Sequence, residues 1–149
     1  MIPPKAKAAV LLASPDDIEA QFYEALQRGD IERLMAVWSD DDEIVCVHPG
    51  GPRVVGPGAI RTTFEAIFAN GAIPVQPQRV RRVHSTGSAV HNLFERVDIA
   101  TAEGNQTAWV LATNVYVKTA QGWRMVAHHA SPGSPHEPPE ITETPAVLH

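Results

Sequence analysis

A long β-hairpin near the end of the chain is the feature that most constrains the fold. Residues 107–117 are mostly β-branched or aromatic, which suits a pleated, half-buried strand. Residues 120–122 supply a turn, because Gly122 can adopt a positive φ, and residues 123–130 return as a second strand. A hairpin of this length requires other elements to pack against its apolar face.

The first half of the chain supplies those elements as three helices. Ser14 is the predicted N-cap of the first, followed by a proline and two acidic residues, and Gly29 ends it. Asp30 caps a shorter second helix, and residues 56–71 hold the third. Apolar residues at helical spacing form one face of the first helix: Ile18, Phe22, Ala25 and Leu26.

The strands follow a different period. Residues 44–48 and 53–55 predict two short strands around a Pro-Gly-Gly-Pro reversal, with Cys46 and His48 on one face of the first. Residues 73–84 predict an edge strand because two prolines occur near its start, and residues 89–100 predict a long strand. Helices that precede a run of antiparallel strands indicate an α+β fold.

Composition indicates one globular domain without nucleic-acid or membrane partners. The 149 residues carry a formal net charge of -5, which gives no electrostatic footprint for nucleic acid. No apolar stretch approaches the length of a membrane span, and the apolar run 8–13 is short for a secretion signal. We therefore expect a soluble, cytoplasmic protein. The single cysteine, Cys46, excludes an intramolecular disulfide and is expected to be a buried, inert thiol.

The predicted domain spans residues 14–131, between an N-terminal arm (1–13) and a proline-rich tail (132–149). The tail carries five prolines between Pro132 and Pro145, so it is expected to be disordered or extended, or to form an arm laid across a partner subunit. A local cluster of positive charge, Arg79, Arg81 and Arg82, is either a solvated strand face or a site for an anion or partner.

Four motifs, in the order of these elements, resemble the nuclear transport factor 2-like superfamily, also called cystatin-like or SnoaL-like. They are Gly29-Asp30 between two helices, the stretch 38–50 from Trp-Ser-Asp-Asp-Asp to Val-His-Pro-Gly, the helix start at 55–60, and GWRMVAHHAS at 122–131. The last motif is also similar to the end of the calcium/calmodulin-dependent kinase II association domain. The resemblance implies a cone, in which a curved sheet wraps the first helix and leaves a pocket at its wide end. It also implies homodimers that pair through the outer sheet face.

The ketosteroid isomerases of this superfamily suggest which residues could be catalytic. Aligned through the Gly-Asp and Pro-Gly motifs, their catalytic base falls on His48, their oxyanion-binding tyrosine on Phe22, and their second aspartate near Asn114. His48 can act as a base near neutral pH, and Asn114 can donate to an oxyanion. Phe22 cannot, and Tyr23 is expected to point about 100° away on the helix. Authentic steroid isomerisation is therefore not expected.

A ligand pocket is predicted from aromatic walls and a few polar groups. Its predicted members are Phe22, Trp38, His48, Asn114, Tyr116, Trp123 and His129. His128 and His129 are adjacent on a strand and face opposite sides. His129 is favoured for the pocket because it has the same parity as Trp123 and Met125.

No metal or cofactor is expected. A zinc site built from His48, His129 and Glu95 is conceivable, but no His-x-His or His-Glu-x-x-His spacing supports it. The sequence thus predicts a homodimeric protein that binds a small apolar molecule, with or without proton-transfer catalysis as an isomerase, cyclase or hydratase. The alternative is a non-catalytic assembly module similar to the kinase association domain.

Overall fold

A computed structural model describes residues 14–143, which form three helices and one six-stranded mixed sheet. The helices are α1 (Pro15–Arg28), α2 (Ile31–Val37) and α3 (Pro57–Phe68). The strands are β1 (Val45–Val47), β2 (Arg53–Val55), β3 (Val75–His84), β4 (Ser88–Thr101), β5 (Gly104–Thr119) and β6 (Gly122–Ala130). The predicted α+β class and its sheet packed around α1 are confirmed.

The sheet has the strand order β2-β1-β6-β5-β4-β3. Neighbouring strands are antiparallel except β1 and β6, which run parallel. β3 is an edge strand, as its prolines predict. Among residues 14–143, no helix has the length and apolar character needed to cross a membrane.

The predicted caps at both ends of α1 and at the start of α2 are present. Ser14 Oγ accepts a hydrogen bond from the backbone N–H of Asp17 at 3.1 Å, and the Asp30 carboxylate accepts one from Arg33 at 3.1 Å. Gly29 ends α1 with a φ of 65°, a left-handed conformation that glycine adopts without strain.

The buried arc of α1 is wider than a single apolar stripe. After Pro15 at its start, its buried residues occupy two adjacent rows of the helix: Ile18, Glu19, Phe22, Tyr23, Ala25 and Leu26. Successive residues on a helix lie about 100° apart, so the sheet covers at least this angle of α1. Tyr23 lies about 100° from Phe22 on the helix, as expected, yet it also faces the sheet and is only 2% exposed.

A β-bulge in β6 decides which of the tandem histidines faces inward. Val115 pairs with Ala127 while Tyr116 pairs with Met125, so Val126 is an extra residue on β6. The extra residue reverses the alternation of side chains beyond it. His128 is consequently buried and His129 is exposed, so the prediction that His129 enters the pocket is wrong.

The described part of the tail lies extended against the sheet. Ser134 exchanges two backbone hydrogen bonds with Trp109, at 2.7 and 2.9 Å, beyond the end of β6. Further along, Glu140 pairs with Arg79 at 2.6 Å and with Arg81 at 2.7 Å. The tail thus passes from β5 to β3 across its own sheet.

The arginine cluster therefore has partners within the same chain. The Arg79 guanidinium lies 5.3 Å from the Phe94 ring centroid and also pairs with Glu137 at 3.2 Å, while Arg82 pairs with Asp16 at 2.8 Å.

The N-terminal arm predicted at residues 1–13 lies outside the described residues, as does the end of the tail after residue 143.

Neutralising Glu137 and Glu140 by glutamine should release the tail without unfolding the domain. The ion pairs are solvent-exposed, so they contribute little to global stability and weaken with salt. We expect faster proteolysis after residue 131 in the double variant, and the same acceleration in wild-type protein at high salt, with an unchanged Tm. Equal cleavage rates for the variant and the wild type would contradict the assignment.

Candidate functional site

A cavity of about 250 Å³ lies between the helices and the inner face of the sheet. Nine of its lining residues are apolar: Phe22, Leu26, Pro49, Phe64, Ile67, Ile73, Val75, Val97 and Val110. The other three carry titratable groups: His48, Glu95 and His128. A mostly apolar cavity with few polar groups is typical of a small-molecule site.

His48 is positioned by the end of β1. Ile44, Cys46 and His48 alternate along one face, and the imidazole packs edge-on against the Phe64 ring, 4.7 Å between centroids. Its Nε2 lies 3.3 Å from the Thr63 hydroxyl, which itself donates to the carbonyl of Ile60. The Cys46 Sγ lies farther from Nε2, at 3.8 Å. Because the Thr63 proton is already given to Ile60, we assign the tautomer in which Nε2 donates to Thr63 and Nδ1 is an acceptor. Burial lowers the pKa of His48, which favours this neutral form.

Glu95 is held by a chain of hydrogen bonds inside the protein. The Tyr23 hydroxyl donates to Oε2 of Glu95 at 2.7 Å and accepts from Nδ2 of Asn114 at 3.0 Å. Oδ1 of Asn114 in turn accepts from Nδ1 of His128 at 2.5 Å. The Tyr23 hydroxyl has one proton and gives it to Glu95, so its oxygen must accept from the Asn114 amide. Oδ1 of Asn114 is then left to accept from His128.

The direction of the chain also fixes the tautomer of His128. Its Nδ1 carries the proton given to Asn114, so Nε2 carries a lone pair, 4.0 Å from Oε2 of Glu95. Burial, followed by the charges of His48 and His129, lowers the pKa of His128 to about 3. His128 is consequently a neutral hydrogen-bond acceptor at the cavity wall.

Glu95 is the titratable group best suited to proton transfer. Its side chain is buried on the inner face of β4, and burial raises its pKa from 4.5 to about 7. The hydrogen bond from Tyr23 opposes this rise and the charge of Glu19 adds to it. A carboxyl group with a pKa near neutrality can act as a general acid or as a general base.

A second buried polar cluster lies along the same face of α1. Oε2 of Glu19 accepts a hydrogen bond from the Tyr116 hydroxyl at 3.0 Å and lies 2.6 Å from Nδ1 of His91. Burial and Glu19 raise the pKa of Tyr116 well above its ordinary value. None of the three residues lines the cavity, so this cluster supports the wall and the charge environment of Glu95.

The structure brings together only some of the residues predicted for the pocket. Phe22 and His48 line the cavity. Asn114 and Tyr116 are buried behind it, with their polar groups directed at other side chains. Asn114 is therefore not placed to donate to a bound oxyanion, because its amide group is hydrogen-bonded to Tyr23 and His128.

The two tryptophans predicted as walls lie elsewhere. Trp38 follows the C-terminus of α2 and is buried in the core, where its backbone bridges to Met125. Trp123 is half-buried near the start of β6 and packs on the same core. Neither lines the cavity, because both lie toward the end of β6 opposite His128.

The residues of the buried polar network that the sequence did not assign to the pocket are Glu95, His128, Tyr23 and Glu19. Glu19 lies within the apolar face of α1, and Glu95 has the same strand parity as His91, which is buried. Acidic residues in such positions are the signal that could have identified a buried polar network. The bulge at Val126 left no comparable signal in the sequence.

Among residues 14–143, no group of three or more histidine, cysteine, aspartate or glutamate side chains is arranged to hold a metal ion. The set considered from the sequence is not assembled, because His129 faces away from His48 and Glu95.

Cys46 should be unreactive in the folded protein. Its side chain is fully buried, and burial together with the charge of Glu95 raises its thiol pKa to about 12. The thiolate is the nucleophilic form, so a disulfide reagent at pH 8 should label Cys46 only after denaturant is added. Rapid labelling without denaturant would contradict this placement.

The SnoaL-like domain family matches residues 16–135. A candidate association domain of calcium/calmodulin-dependent protein kinase type II from Thiobacillus denitrificans is 32% identical, covering 82% of this chain and 97% of that chain, with a TM-score of 0.74. A candidate dehydratase of the nuclear transport factor 2-like family from Streptomyces avermitilis is 28% identical, covering 85% and 97%, with a TM-score of 0.71.

A protein with a cystatin-like fold from Novosphingobium aromaticivorans is 19% identical over 77% of each chain, with a TM-score of 0.62, and is similar in fold alone. The search of curated proteins gives no match. The resemblance drawn from the sequence motifs is confirmed by the family match and by these structures.

Proposed function

The chain belongs to the SnoaL-like domain family, and we propose that it binds a small, largely apolar molecule in its cavity and catalyses a proton transfer there. The observation that carries this proposal is Glu95, a buried carboxyl group in the cavity wall whose pKa is about 7. Burying a carboxyl group costs stability, and residues with perturbed pKa values cluster at functional sites.

The two titratable groups that complete the mechanism have complementary states. At neutral pH, His48 is uncharged with an acceptor at Nδ1, and part of the Glu95 population is protonated. His48 takes a proton from a substrate carbon while Glu95 gives a proton to a substrate oxygen. The positive charge formed on one residue and the negative charge formed on the other cancel, so the apolar cavity holds no net new charge.

This pair of steps fits isomerisation or the addition and removal of water, two of the three reaction types expected from the sequence. The relative described as a candidate dehydratase, at 28% identity, supports the second. Asn114 acts as a positioning residue, because its amide fixes the tautomer of His128 and the orientation of the Tyr23 hydroxyl.

The test begins with a thermal-shift screen of small neutral enones and hydroxy compounds. Each compound that binds is then followed by NMR in D₂O for hydrogen exchange at carbon and for loss of water. Glu95→Gln should slow the reaction about 10²–10⁴-fold, the usual contribution of a general acid or base. An unchanged rate in His48→Ala would sink the base assignment, and an unchanged rate in both variants would sink the proposal.

A second candidate function is assembly without catalysis. The relative described as a candidate kinase association domain, at 32% identity, favours it. The outer sheet face also carries an apolar row in which Val83 pairs with Val90 and Val90 pairs with Val115. Val83 is 72% exposed and Val90 is 38% exposed, so this row could pair two copies of the chain as a homodimer.

Analytical ultracentrifugation measures the oligomeric state and so tests assembly independently of ligand binding in the cavity. A homodimer through the outer face should dissociate in Val83→Asp/Val90→Asp, whereas Ile99→Asp, another exposed apolar position on the same sheet, should not affect it. A monomeric wild-type protein at micromolar concentration would exclude assembly through this face.

A further inference from the structure

We infer that the cavity selects a neutral ligand bearing a hydroxyl group, whose oxygen lies between the Glu95 carboxyl group and Nε2 of His128. The inference rests on the proposed function and specifies the chemical class of its substrate. It follows from the spacing of these two groups and from the hydrogen bonds that each has available.

The spacing suits a single ligand oxygen. Oε2 of Glu95 and Nε2 of His128 are 4.0 Å apart, and both residues line the cavity. Hydrogen bonds of ordinary length, about 2.8 Å, can reach both atoms from one oxygen placed between them. The two groups are too far apart to satisfy each other directly.

The available protons determine which oxygen fits. Nε2 of His128 can only accept, because Nδ1 holds the proton given to Asn114. Glu95 already accepts from Tyr23 and, when protonated, can donate its own proton. A hydroxyl group satisfies both partners, because it donates to His128 and accepts from Glu95.

Other polar groups leave one partner unsatisfied. A ketone oxygen has no proton for His128, so two acceptors would face each other. A carboxylate would place a second negative charge beside Glu95, and no lysine or arginine belongs to the described lining of the cavity. An ammonium group would meet a neutral carboxyl group below pH 7 and would lose its hydration without a counter-charge.

The site also gives the hydroxyl group a chemical role. Proton donation from Glu95 to the hydroxyl oxygen would allow the C–O bond to break with release of water. His48 would remove a proton from the adjacent carbon, and the electrons of that C–H bond would form the new double bond. The products are an alkene and water, with Glu95 ionised and His48 protonated until the two groups re-equilibrate with solvent.

Four probes of matched shape test the selection. They are cyclohexanol, cyclohexanone, cyclohexanecarboxylate and cyclohexylamine, titrated calorimetrically into the full chain at pH 6, where Glu95 is mostly protonated. Cyclohexanol should bind about tenfold or more tightly than each of the other three, because only it leaves no buried acceptor unpaired.

The variant His128→Leu should remove the preference, so that the alcohol and the ketone bind about equally. Its control is His129→Leu, at the exposed neighbouring position, which should keep the wild-type ranking. If His128→Leu does not fold, the ranking in the wild type and in His129→Leu still decides the question.

Tighter binding of the ketone, the carboxylate or the amine would overturn the hydroxyl selection while leaving proton transfer in the cavity in place. An unchanged preference in folded His128→Leu would also overturn it. Failure of all four probes to bind would overturn both this inference and the proposed function.

Discussion

The variant Glu95→Gln should gain stability relative to the wild type when the pH is raised from 4.5 to 8. The folded-state pKa of Glu95 is about 7, above the ordinary value of 4.5 expected for the unfolded chain. Between these values the folded protein retains a proton that the unfolded chain has released. The stability of the wild type therefore falls as pH rises from 4.5 to 7, and levels off above that.

The size of this effect follows from the shift in pKa. Each pKa unit corresponds to about 1.4 kcal/mol, so Glu95 costs the wild type about 3 kcal/mol of unfolding free energy at pH 8. Glutamine has the same shape and can still accept from Tyr23, but it does not ionise. The unfolding free energy of the variant minus that of the wild type should therefore rise by about 3 kcal/mol between pH 4.5 and pH 8.

Urea unfolding at pH 4.5 and pH 8 measures the shift. The control is Glu103→Gln, an exposed glutamate in the turn between β4 and β5, measured at the same two pH values. A Glu95→Gln effect that does not depend on pH would mean that Glu95 ionises as an ordinary exposed carboxyl group does.

Replacing Asn114 by leucine should destabilise the fold by about 2–5 kcal/mol. The substitution preserves volume but leaves Nδ1 of His128 without an acceptor and removes the donor to Tyr23, both in fully buried surroundings. Each buried polar group left without a partner costs about 1–3 kcal/mol.

A neighbouring asparagine offers a matched control for this prediction. Asn92 is on β4, one position from His91, the residue that pairs with Asn114, and its side chain is on the opposite face of the sheet. It donates one partly buried hydrogen bond to Thr113 at 3.0 Å. Asn92→Leu should change the unfolding free energy by only about 0.5 kcal/mol. Equal losses for the two variants would contradict the network.

The sequence predicted the elements because their signals are local. Helix caps involve only the backbone of a few neighbouring residues, as at Ser14, Gly29 and Asp30. They can therefore be predicted without knowledge of the tertiary structure. The order of the elements and their motifs then indicated the family, which the comparisons confirmed.

The site was predicted less well because its geometry depends on features that are not local. The prediction for the tandem histidines assumed an unbroken alternation, and the bulge at Val126 reversed it. Tyr23 was set aside because it lies about 100° from Phe22 on α1, yet the sheet buries both residues. Tyr23 and His128 belong to the same hydrogen-bond chain, which connects α1, β4, β5 and β6.

We propose that Glu95 donates and accepts protons near neutral pH within the cavity. The carboxyl carbon resonances of ¹³C-labelled glutamate, followed by NMR from pH 3 to 9, measure its titration directly. The resonance that is lost in Glu95→Gln identifies it. We predict a midpoint near pH 7, as burial in the cavity wall requires; a midpoint near 4.5, like that of an ordinary glutamate, would exclude this role for Glu95.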